Sequence, residues 1–180
     1  MKSSDSSPFR GLGGKIFLIG FMGSGKTHWG RVWAKENGVD FYDLDELIEK
    51  EERRSVTAIF EENGEHYFRE KETEGLKNFA EKENFLLACG GGAPCFNDNM
   101  QWMNDNGTTV YLSASPQYLF EKVIAEKDKR PLIKNLNPEE LLSFIQQKLK
   151  EREPVYRQAK IILQVSDLDN RSLLTLNSKL

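Results

Sequence analysis

A single short stretch of the chain combines glycines, a lysine and a threonine at the spacing of a phosphate-binding loop. The stretch GFMGSGKT, residues 20–27, fits the pattern GxxxxGK(S/T); an apolar run precedes it and a run with helical periodicity follows it. Glycines let the main chain curl so that successive N–H groups point at phosphate oxygens, and the following helix adds its positive N-terminal end. A glycine-rich turn without a ligand is the structural alternative, but every fixed position and both flanks agree with the motif.

Two side chains at the end of this motif could act on a bound triphosphate. Lys26 can reach the β- and γ-phosphates, and the Thr27 hydroxyl can bind Mg²⁺. The residues that we assign to the nucleotide are Gly23, Ser24, Gly25, Lys26, Thr27, His28 and, from a later segment, Arg130. The motif predicts a nucleoside triphosphate site and leaves the reaction open.

Two aspartates separated by one residue could supply the acid chemistry of such a site. Asp43 and Asp45 end the run VDFYDLD, residues 39–45, which is typical of a strand and lies close to the phosphate-binding loop in the predicted sheet. One carboxylate can reach the metal or its water shell, and the other can orient a substrate hydroxyl or accept its proton. The structural alternative is that Asp45 caps a helix beginning at Glu46. Spacing alone favours neither interpretation.

Three arginines in separate motifs could bind anions. Arg69 lies in EHYFRE, Arg130 in KRPL and Arg152 in EREPVY. A guanidinium holds a carboxylate or a phosphate through two parallel hydrogen bonds, although a single arginine of this kind is more often a solvated surface charge. Arg130 is the most informative, because it lies in the charged, proline-containing segment 126–137, which we predict to be a mobile lid that excludes water.

These candidate residues are spread over a regular alternation of apolar runs and helical stretches. The predicted strands are residues 15–20, 39–45, 85–89, 108–113 and 160–165. The predicted helices are residues 45–53, 56–62, 64–82, 116–126, 138–152 and 170–179, together with a first helix that ends near Asn37. This alternation predicts an α/β fold with a five-stranded parallel sheet flanked by helices.

Ligands of such sheets bind beyond the carboxyl ends of the strands, and several notable residues lie at those ends. Gly20 follows the first strand, Asp43 and Asp45 end the second, and three consecutive glycines, residues 90–92, follow the third. Three glycines in a row allow a close backbone approach, here to something other than the triphosphate.

Length and composition limit the classes of protein to consider. The 180 residues suit one domain, residues 15–180, after a segment 1–14 rich in Ser and Gly that we predict to be disordered. The net charge of −3 argues against general binding to nucleic acid or anionic membranes. Two cysteines, no signal-peptide pattern and no apolar run of about 20 residues predict a cytoplasmic protein with free thiols. We expect a monomer.

Six motifs together resemble those of shikimate kinases. They are GFMGSGKT, FYDLDELIE, GEHYFRE, GGGAP, KRPL and REPVY, and they occur in the family's order across roughly residues 15–165. Many NTPases share the first motif, but the set is highly specific. The resemblance implies the nucleoside-monophosphate-kinase-like P-loop fold with a lid. It also implies transfer of the γ-phosphoryl of ATP, with Mg²⁺, to the 3-hydroxyl of shikimate, in the pathway to chorismate and aromatic amino acids.

The resemblance also implies roles for the substrate-binding residues. Asp45 would bind the shikimate hydroxyls and could serve as base, whereas Asp43 would lie in the outer shell of the metal. Arg69 and Arg152 would hold the substrate carboxylate and ring face, and Gly91 would make a backbone contact to the substrate.

A lid residue completes the set of catalytic candidates. Arg130 resembles the family's lid arginine, which comes down on the transferring phosphate. The expected catalytic residues are therefore Asp45, Lys26 and Arg130. We expect positioning and charge neutralisation to dominate the reaction.

The chain departs from the family's pattern on the nucleotide side. His28 stands where the family usually has a small hydroxyl residue, and we expect no effect on the chemistry. The family's arginine over the adenine is absent, because its position falls at Val123, which leaves Lys122 and Lys127 as substitutes. The adenine loop near residues 167–171 is not clearly matched.

Two other functions compete with this prediction. A related kinase acting on gluconate or a nucleoside monophosphate is one, and carboxylate-binding arginines fit gluconate, although GGG and KRPL do not favour it. A nucleotide-binding module that has lost catalysis is the other. The intact set Lys26, Thr27, Asp43, Asp45 and Arg130 speaks against it.

Overall fold

The fold is built on one parallel sheet of five strands. The computed structural model describes residues 14–129, 132–170 and 172. In chain order the strands are β1 Lys15–Ile19, β2 Asp40–Asp43, β3 Phe85–Ala88, β4 Thr108–Ser113 and β5 Ile161–Gln164. Their spatial order is β2-β3-β1-β4-β5, and every neighbouring pair is parallel. The predicted fold class is therefore confirmed.

The sheet is covered on both faces, which explains why its central strands are apolar throughout. Alternate residues of a strand point to opposite faces, and in β1 Phe17 and Ile19 join one core cluster while Ile16 and Leu18 join another. All four are completely buried. A strand buried on both faces gains from a continuous apolar run, whereas a half-exposed strand would alternate.

Six α-helices connect or flank the strands within the described ranges. They are α1 Lys26–Asn37, α2 Leu44–Glu52, α3 Val56–Lys77, α4 Asn99–Asn106, α5 Pro116–Val123 and α6 Pro138–Tyr156. Short 3-10 turns occupy Ala93–Cys95, Ile124–Lys129 and Val165–Asp167. Helix α1 contributes to the cluster with Ile16 and Leu18, and the other five helices contribute to the opposite cluster.

Local sequence signals set several of the helix ends. The side chains of Ser55, Ser115 and Asn137 accept backbone N–H hydrogen bonds at the starts of α3, α5 and α6. Such caps satisfy N–H groups that have no partner inside the helix. Helix α1 ends at Asn37 and is followed by Gly38, whose φ of 63° is the left-handed conformation that glycine adopts readily.

Three helical predictions need correction. The predicted break between helices 56–62 and 64–82 is present as non-helical backbone at Gly64 within α3, but α3 ends at Lys77 and not at residue 82, and α4 was not predicted. Helix α6 continues past the predicted end at residue 152 although Pro154 lies inside it. The buried Tyr156 anchors that last turn, because its hydroxyl donates to the carbonyl of Gly91.

Some sequence predictions fall outside the described residues. Apart from Gly14, the predicted disordered segment 1–14 lies there, as do most of the predicted last helix and Arg130. In the described part of the predicted lid, a 3-10 turn and a buried Ile133 replace the expected irregular polar loop. None of the helices within the described residues is long and apolar enough to cross a bilayer.

The strand ends define two edges of the sheet. The phosphate-binding loop, Asp43 and the three glycines follow the carboxyl ends of β1, β2 and β3, and we call this side the carboxyl edge. At the opposite, amino edge, a largely exposed turn at residues 81–84 leads into β3.

Candidate active site

The phosphate-binding loop has the curled backbone that its glycines predict. Gly23 and Gly25 have φ values of 81° and 87°, in the left-handed region, and α1 begins directly after Gly25. A methyl group at Gly23 would lie 2.7 Å from a side-chain carbon of Val123, so the loop is packed onto α5. The amino group of Lys26 donates to the carbonyls of Gly20 and Phe21, each at 2.9 Å, and so lies across the loop.

A pocket of about 420 Å³ opens over this loop. Its walls come from the loop, from the ends of β2 and β3, and from α5 and the turn after it. They include Gly23, Gly25, Lys26, Thr27, His28, Asp43, Asp45, Gly90, Gly91, Lys122 and Glu126. The positive end of α1, Lys26 and Lys122 line it together, which suits a polyphosphate.

Asp43 connects the phosphate-binding loop to the start of α2. Its Oδ2 accepts a hydrogen bond of 2.7 Å from the Thr27 hydroxyl. Its Oδ1 accepts from the backbone N–H groups of Asp45 and Glu46 at 3.1 and 3.5 Å. Asp43 is therefore the N-cap, and Asp45 is not, since α2 starts at Leu44, two residues before the start at Glu46 that a cap at Asp45 requires.

Asp45 lies in the first turn of α2 and points a buried oxygen into the site. Among the described residues, its Oδ1 has no hydrogen-bond partner. Burial, and then the negative charge of Asp43, raise the pKa of Asp45 from its ordinary value of 3.8 to about 6, while Lys26 and Arg69 oppose the rise. Such a carboxyl is poised to accept a hydrogen bond or a proton from a ligand.

A second pocket, of about 550 Å³, adjoins the first. Its further walls come from α2, α3, the glycine segment, Leu132 of the predicted lid, and α6. The residues that line both pockets are Met22, Thr27, Asp43, Asp45, Gly90, Gly91 and Glu126. Asp45 therefore stands in the wall common to a cation-lined pocket and a second pocket that contains two arginines.

Arg69 enters the second pocket from α3 and is held in place by acids and aromatic rings. Its Nη1 donates to Glu72 at 2.6 Å, and its Nε and Nη2 donate to one oxygen of Glu65 at 3.2 and 2.8 Å. Its guanidinium carbon lies 4.8 Å from the ring centroid of Phe96. Only 5% of Arg69 is exposed, so the alternative that Arg69 is a solvated surface charge is wrong.

Glu72 is a site residue that the sequence analysis missed. It is completely buried; one oxygen accepts from Arg69, and the other has no hydrogen-bond partner in the described chain. Burial raises the pKa of Glu72 to about 7, against the opposing charge of Arg69, and the nearby Asp45 adds to the rise. The spacing of three residues from Arg69 on one helix was a usable signal, since such residues are neighbours.

The three glycines after β3 let charged groups approach closely. A methyl group at Gly90 would contact Glu72 and would lie 2.8 Å from Oδ1 of Asp45. At Gly92 it would contact the guanidinium of Arg69. The sequence analysis selected only Gly91 from this segment, whereas all three positions line the second pocket.

Arg152 reaches the same pocket from α6. Its guanidinium carbon lies 5.7 Å from the ring centroid of Phe21, and its Nη1 would lie 3.6 Å from a methyl group at Gly91. Arg69 and Arg152 line this pocket together, although 83 residues separate them. The predicted third arginine, Arg130, lies outside the described residues.

On the nucleotide side, the structure separates the two predicted substitutes for the missing arginine. Lys122 lines the first pocket, with its amino group 5.4 Å from the ring centroid of Tyr118. The amino group of Lys127 instead donates to the carbonyl of Leu136 at 2.9 Å. His28 is exposed and lines the first pocket. Val123 is completely buried, so it belongs to the core.

Comparison with known proteins identifies the family of this chain. The family profile described as shikimate kinase matches residues 22–176. The chain belongs to the shikimate kinase family. A shikimate kinase of Phocaeicola vulgatus is 43% identical over 157 residues, which are 87% of this chain and 90% of the relative. A shikimate kinase of Bacteroides fragilis is 44% identical over 158 residues, or 88% of each chain.

Solved structures of shikimate kinases have the same fold. The 1.7 Å crystal structure of the Bacteroides thetaiotaomicron enzyme is 41% identical, with a TM-score of 0.81 over 92% of this chain and 94% of that one. The Acinetobacter baumannii enzyme in complex with shikimate is 32% identical, with a TM-score of 0.82 over 95% and 93%. The prediction of a shikimate kinase, an ATP-dependent kinase acting on shikimate, is confirmed.

A more distant neighbour bears on the alternative substrate. A gluconokinase of Sinorhizobium meliloti is 15% identical, with a TM-score of 0.56 over 92% of this chain and 90% of that one. Likeness at this level shows a shared fold and carries no substrate with it.

Proposed function

We propose that this shikimate kinase transfers the γ-phosphoryl of ATP to the 3-hydroxyl of shikimate, with Asp45 between donor and acceptor. The observation that carries the proposal is the position of Asp45 in the wall common to both pockets. On one side lies the phosphate-binding loop with Lys26, and on the other lie Arg69 and Arg152. Donor phosphate, hydroxyl and carboxylate can thus each meet a group of suitable charge in one continuous cleft.

The donor site uses the backbone of the phosphate-binding loop. The amides from Gly23 to Thr27 and the start of α1 would hold the phosphates, with His28 at the margin of the same pocket. Lys26 now donates to two carbonyls of its own loop, and we expect it to exchange these for β- and γ-phosphate oxygens. An ammonium there neutralises charge that develops during transfer.

Thr27 would bind Mg²⁺ through its hydroxyl, and Asp43 would act from the outer shell of the ion. Their oxygens lie 2.7 Å apart beside the phosphate-binding loop, and hydroxyl and carboxylate oxygens are the ligands that Mg²⁺ accepts alongside phosphates and water. In the described part of the chain no group of three or more His, Cys, Asp or Glu side chains could hold a metal ion. A site completed by phosphates fits that finding, and the ion would there neutralise phosphate charge.

The acceptor site would fix shikimate by its carboxylate and its hydroxyls. Arg69 and Arg152 can bind a carboxylate, and Gly91 offers its backbone between them. Glu72 and Glu65 hold the Arg69 guanidinium, so little rotamer freedom is lost on binding. The partnerless oxygen of Asp45 would accept a hydrogen bond from the attacking hydroxyl and then its proton.

The lid would complete the site. We propose that Arg130 contacts the transferring phosphate when segment 126–137 closes, which would make it catalytic together with Asp45 and Lys26. Leu132 supports a closing segment, because it lines the second pocket while 41% of its surface is exposed.

A coupled assay of ADP release tests the proposed function. Shikimate, gluconate and nucleoside monophosphates are offered at equal concentration with Mg-ATP, and the product is identified by phosphorus NMR. We expect turnover with shikimate alone and a phosphate ester at its 3-hydroxyl. Turnover with gluconate alone would overturn the proposal, and ATP binding without transfer to any acceptor would support a silent binding module.

The cellular setting is part of the proposal. We propose a monomeric cytoplasmic enzyme of aromatic amino acid biosynthesis that acts without nucleic acid or membrane. The net charge of −3 supports the absence of general nucleic-acid binding. Both Cys89 and Cys95 are free thiols, which supports a reducing compartment.

A further inference from the structure

We propose that two stacked tryptophans, Trp29 and Trp33, position the nucleotide site by linking the phosphate-binding loop to the segment after β5. We call them the tryptophan pair. In this proposal Trp29 fixes the loop that holds the phosphates, and Trp33 fixes the segment 165–169 beside the nucleoside. Neither residue need touch ATP, so both are positioning residues. The inference rests on the proposed function, because it concerns the ATP that this site binds.

Trp29 packs directly against the last glycine of the phosphate-binding loop. A methyl group at Gly25 would lie 3.2 Å from Cδ1 and 3.5 Å from Nε1 of its indole. The backbone N–H of Trp29 also donates to the carbonyl of Gly25 at 2.9 Å. Gly25 is the left-handed residue at which α1 starts, and no side chain caps that start. The indole therefore occupies the space into which this turn could otherwise relax.

Trp33 lies one turn further along the same face of α1 and carries the contact from Trp29 to segment 165–169. The two indoles are stacked, with centroids 5.6 Å apart and an interplanar angle of 26°. Trp33 is completely buried, and its Nε1 donates to the backbone carbonyl of Asp169 at 3.0 Å. Val165 of the same segment belongs to the core cluster that contains Trp33, and the partly buried Leu168 packs against that cluster. A buried hydrogen bond and apolar packing thus hold this segment against α1.

The strand order places segment 165–169 on the side of the cleft that the nucleoside must occupy. The acceptor groups Asp45, Gly90 and Arg69 are grouped around the ends of β2 and β3, on one side of β1. The γ-phosphate must face these groups for transfer to occur. The base and ribose of ATP therefore extend toward β4 and β5, the side on which segment 165–169 follows β5.

The two tryptophans should affect different parts of the nucleotide. Loss of the Trp33 N–H frees the segment beside the nucleoside, so it should weaken the binding of ATP and ADP but leave the binding of inorganic tripolyphosphate unchanged. Loss of the Trp29 ring frees the phosphate-binding loop, so it should weaken the binding of all three ligands. Shikimate binds on the other side of β1, and its KM should stay within two-fold in both variants.

Trp33→Phe and Trp29→Leu test the proposal, with Trp102→Phe as matched control. Trp102 packs edge-on against Phe17, at 5.9 Å between centroids, in the other core cluster. We measure KM for ATP and shikimate, and dissociation constants for ADP and tripolyphosphate by calorimetry, well below each variant's unfolding temperature. Trp33→Phe should raise the ATP KM and the ADP constant between about two-fold and ten-fold. Trp102→Phe should change neither.

The outcomes separate this inference from the proposed function. An unchanged ADP dissociation constant in Trp33→Phe, or an equal rise in the KM for ATP and the KM for shikimate, overturns the inference. If Trp33→Phe does not fold, the Trp102→Phe variant provides the test. The chain has 3 tryptophans, so this variant retains the tryptophan pair alone, and its tryptophan fluorescence should change when ADP binds. Unchanged emission overturns the inference. A wild-type enzyme that binds ADP without phosphorylating shikimate overturns the function and leaves these binding tests valid.

Discussion

Asp45 differs from Asp43 because burial disfavours its charged form. Both carboxylate oxygens of Asp43 accept hydrogen bonds, from the Thr27 hydroxyl and from backbone amides of α2. Oδ1 of Asp45, by contrast, is buried without a hydrogen-bond partner in the described residues. A buried carboxyl of this kind gains more from a donated hydrogen bond than a solvated one. The substrate hydroxyl can supply that hydrogen bond.

Replacing Asp45 with Asn tests its role at the residue scale. Asparagine keeps the shape but cannot take the proton, so we expect kcat to fall roughly 10²-fold or more, as is usual for a lost general base. The ADP dissociation constant should stay within about two-fold, because the phosphate-binding loop is unchanged. Steady-state kinetics and calorimetry provide the two numbers. A variant within three-fold of the wild-type kcat would remove Asp45 from catalysis.

Single residues of the site were predictable where a motif states their chemistry. Lys26 and Thr27 follow from the phosphate-binding pattern alone, and the Thr27–Asp43 contact agrees with the metal site suggested for them. Glu72 was not predicted as a site residue because a glutamate on a charged helix is usually solvated, and only its burial against Arg69 distinguishes it from other glutamates. The same is true of the tryptophan pair, whose spacing on α1 indicates core packing and says nothing about Asp169.

At the scale of elements, the three-glycine segment after β3 sets the shape of the acceptor pocket. Its backbone is held from outside by Tyr156, whose hydroxyl donates to Gly91. Its inner side meets the charged ends of Glu72, Asp45 and Arg69 with no side chain in between. None of the three glycines has positive φ, so they are required for space and not for backbone conformation.

Gly92→Ala and Gly91→Ala therefore form a matched test of this segment. The methyl group at Gly92 would displace the flexible Arg69 guanidinium, so we expect the shikimate KM to rise about ten-fold, as for a weakened hydrogen bond to a charged group. At Gly91 the nearest atoms would be 3.3 to 3.6 Å away, and we expect a rise below three-fold. Steady-state kinetics measures both. Equal effects would mean that Arg69 does not need its present position.

Elements were predictable where the pattern is local, and unpredictable where tertiary contacts decide. Apolar runs gave all five strands within about two residues, because a fully buried strand carries that pattern throughout. The order β2-β3-β1-β4-β5 is not a local property and was not predicted. Helix α4 has few apolar residues and no strong start signal, and Pro154 suggested too early an end for α6.

For the whole molecule, the buried carboxyl of Glu72 links stability to pH. Burial raises its pKa from 4.5 to about 7, so the folded state holds the proton more tightly than the unfolded chain. This contribution to stability is complete below pH 4.5 and is lost as pH rises through about 7. Ligand-free wild-type protein should therefore lose unfolding free energy between these values, by on the order of 3 kcal/mol from this group.

Glu72→Gln should flatten that pH dependence. Glutamine has no proton to release, so the difference in unfolding free energy between pH 5 and 7.5 should shrink relative to the wild type. Urea titrations at several pH values measure it. Glu74→Gln is the control, because Glu74 is largely exposed and pairs with Lys71 on the surface. An unchanged slope in Glu72→Gln would mean that Glu72 is ionised in the free protein at pH 5.

Closure of the lid is the large-scale motion that the proposed reaction requires. Ile133 anchors the segment after residue 131 in the core, and Lys134 pairs with Glu61 of α3 at 2.8 Å. We expect ATP analogue and shikimate together to slow tryptic cleavage within segment 126–137 at least several-fold, because closure removes accessible backbone. Time-resolved gels followed by mass spectrometry measure the rates. Equal cleavage with and without ligands would contradict a closing lid.

None of the described residues assigned to the reaction lies at the amino edge of the sheet. The turn at residues 81–84 lies there, and Glu81 is exposed. A probe attached at Glu81→Cys is therefore separated from the cleft by the length of the strands. The native Cys89 is buried, but Cys95 is only partly buried, so selective coupling at the new thiol also requires Cys95→Ser. Molecules tethered to a surface through this turn would present their open cleft to solution, which suits single-molecule recording of turnover.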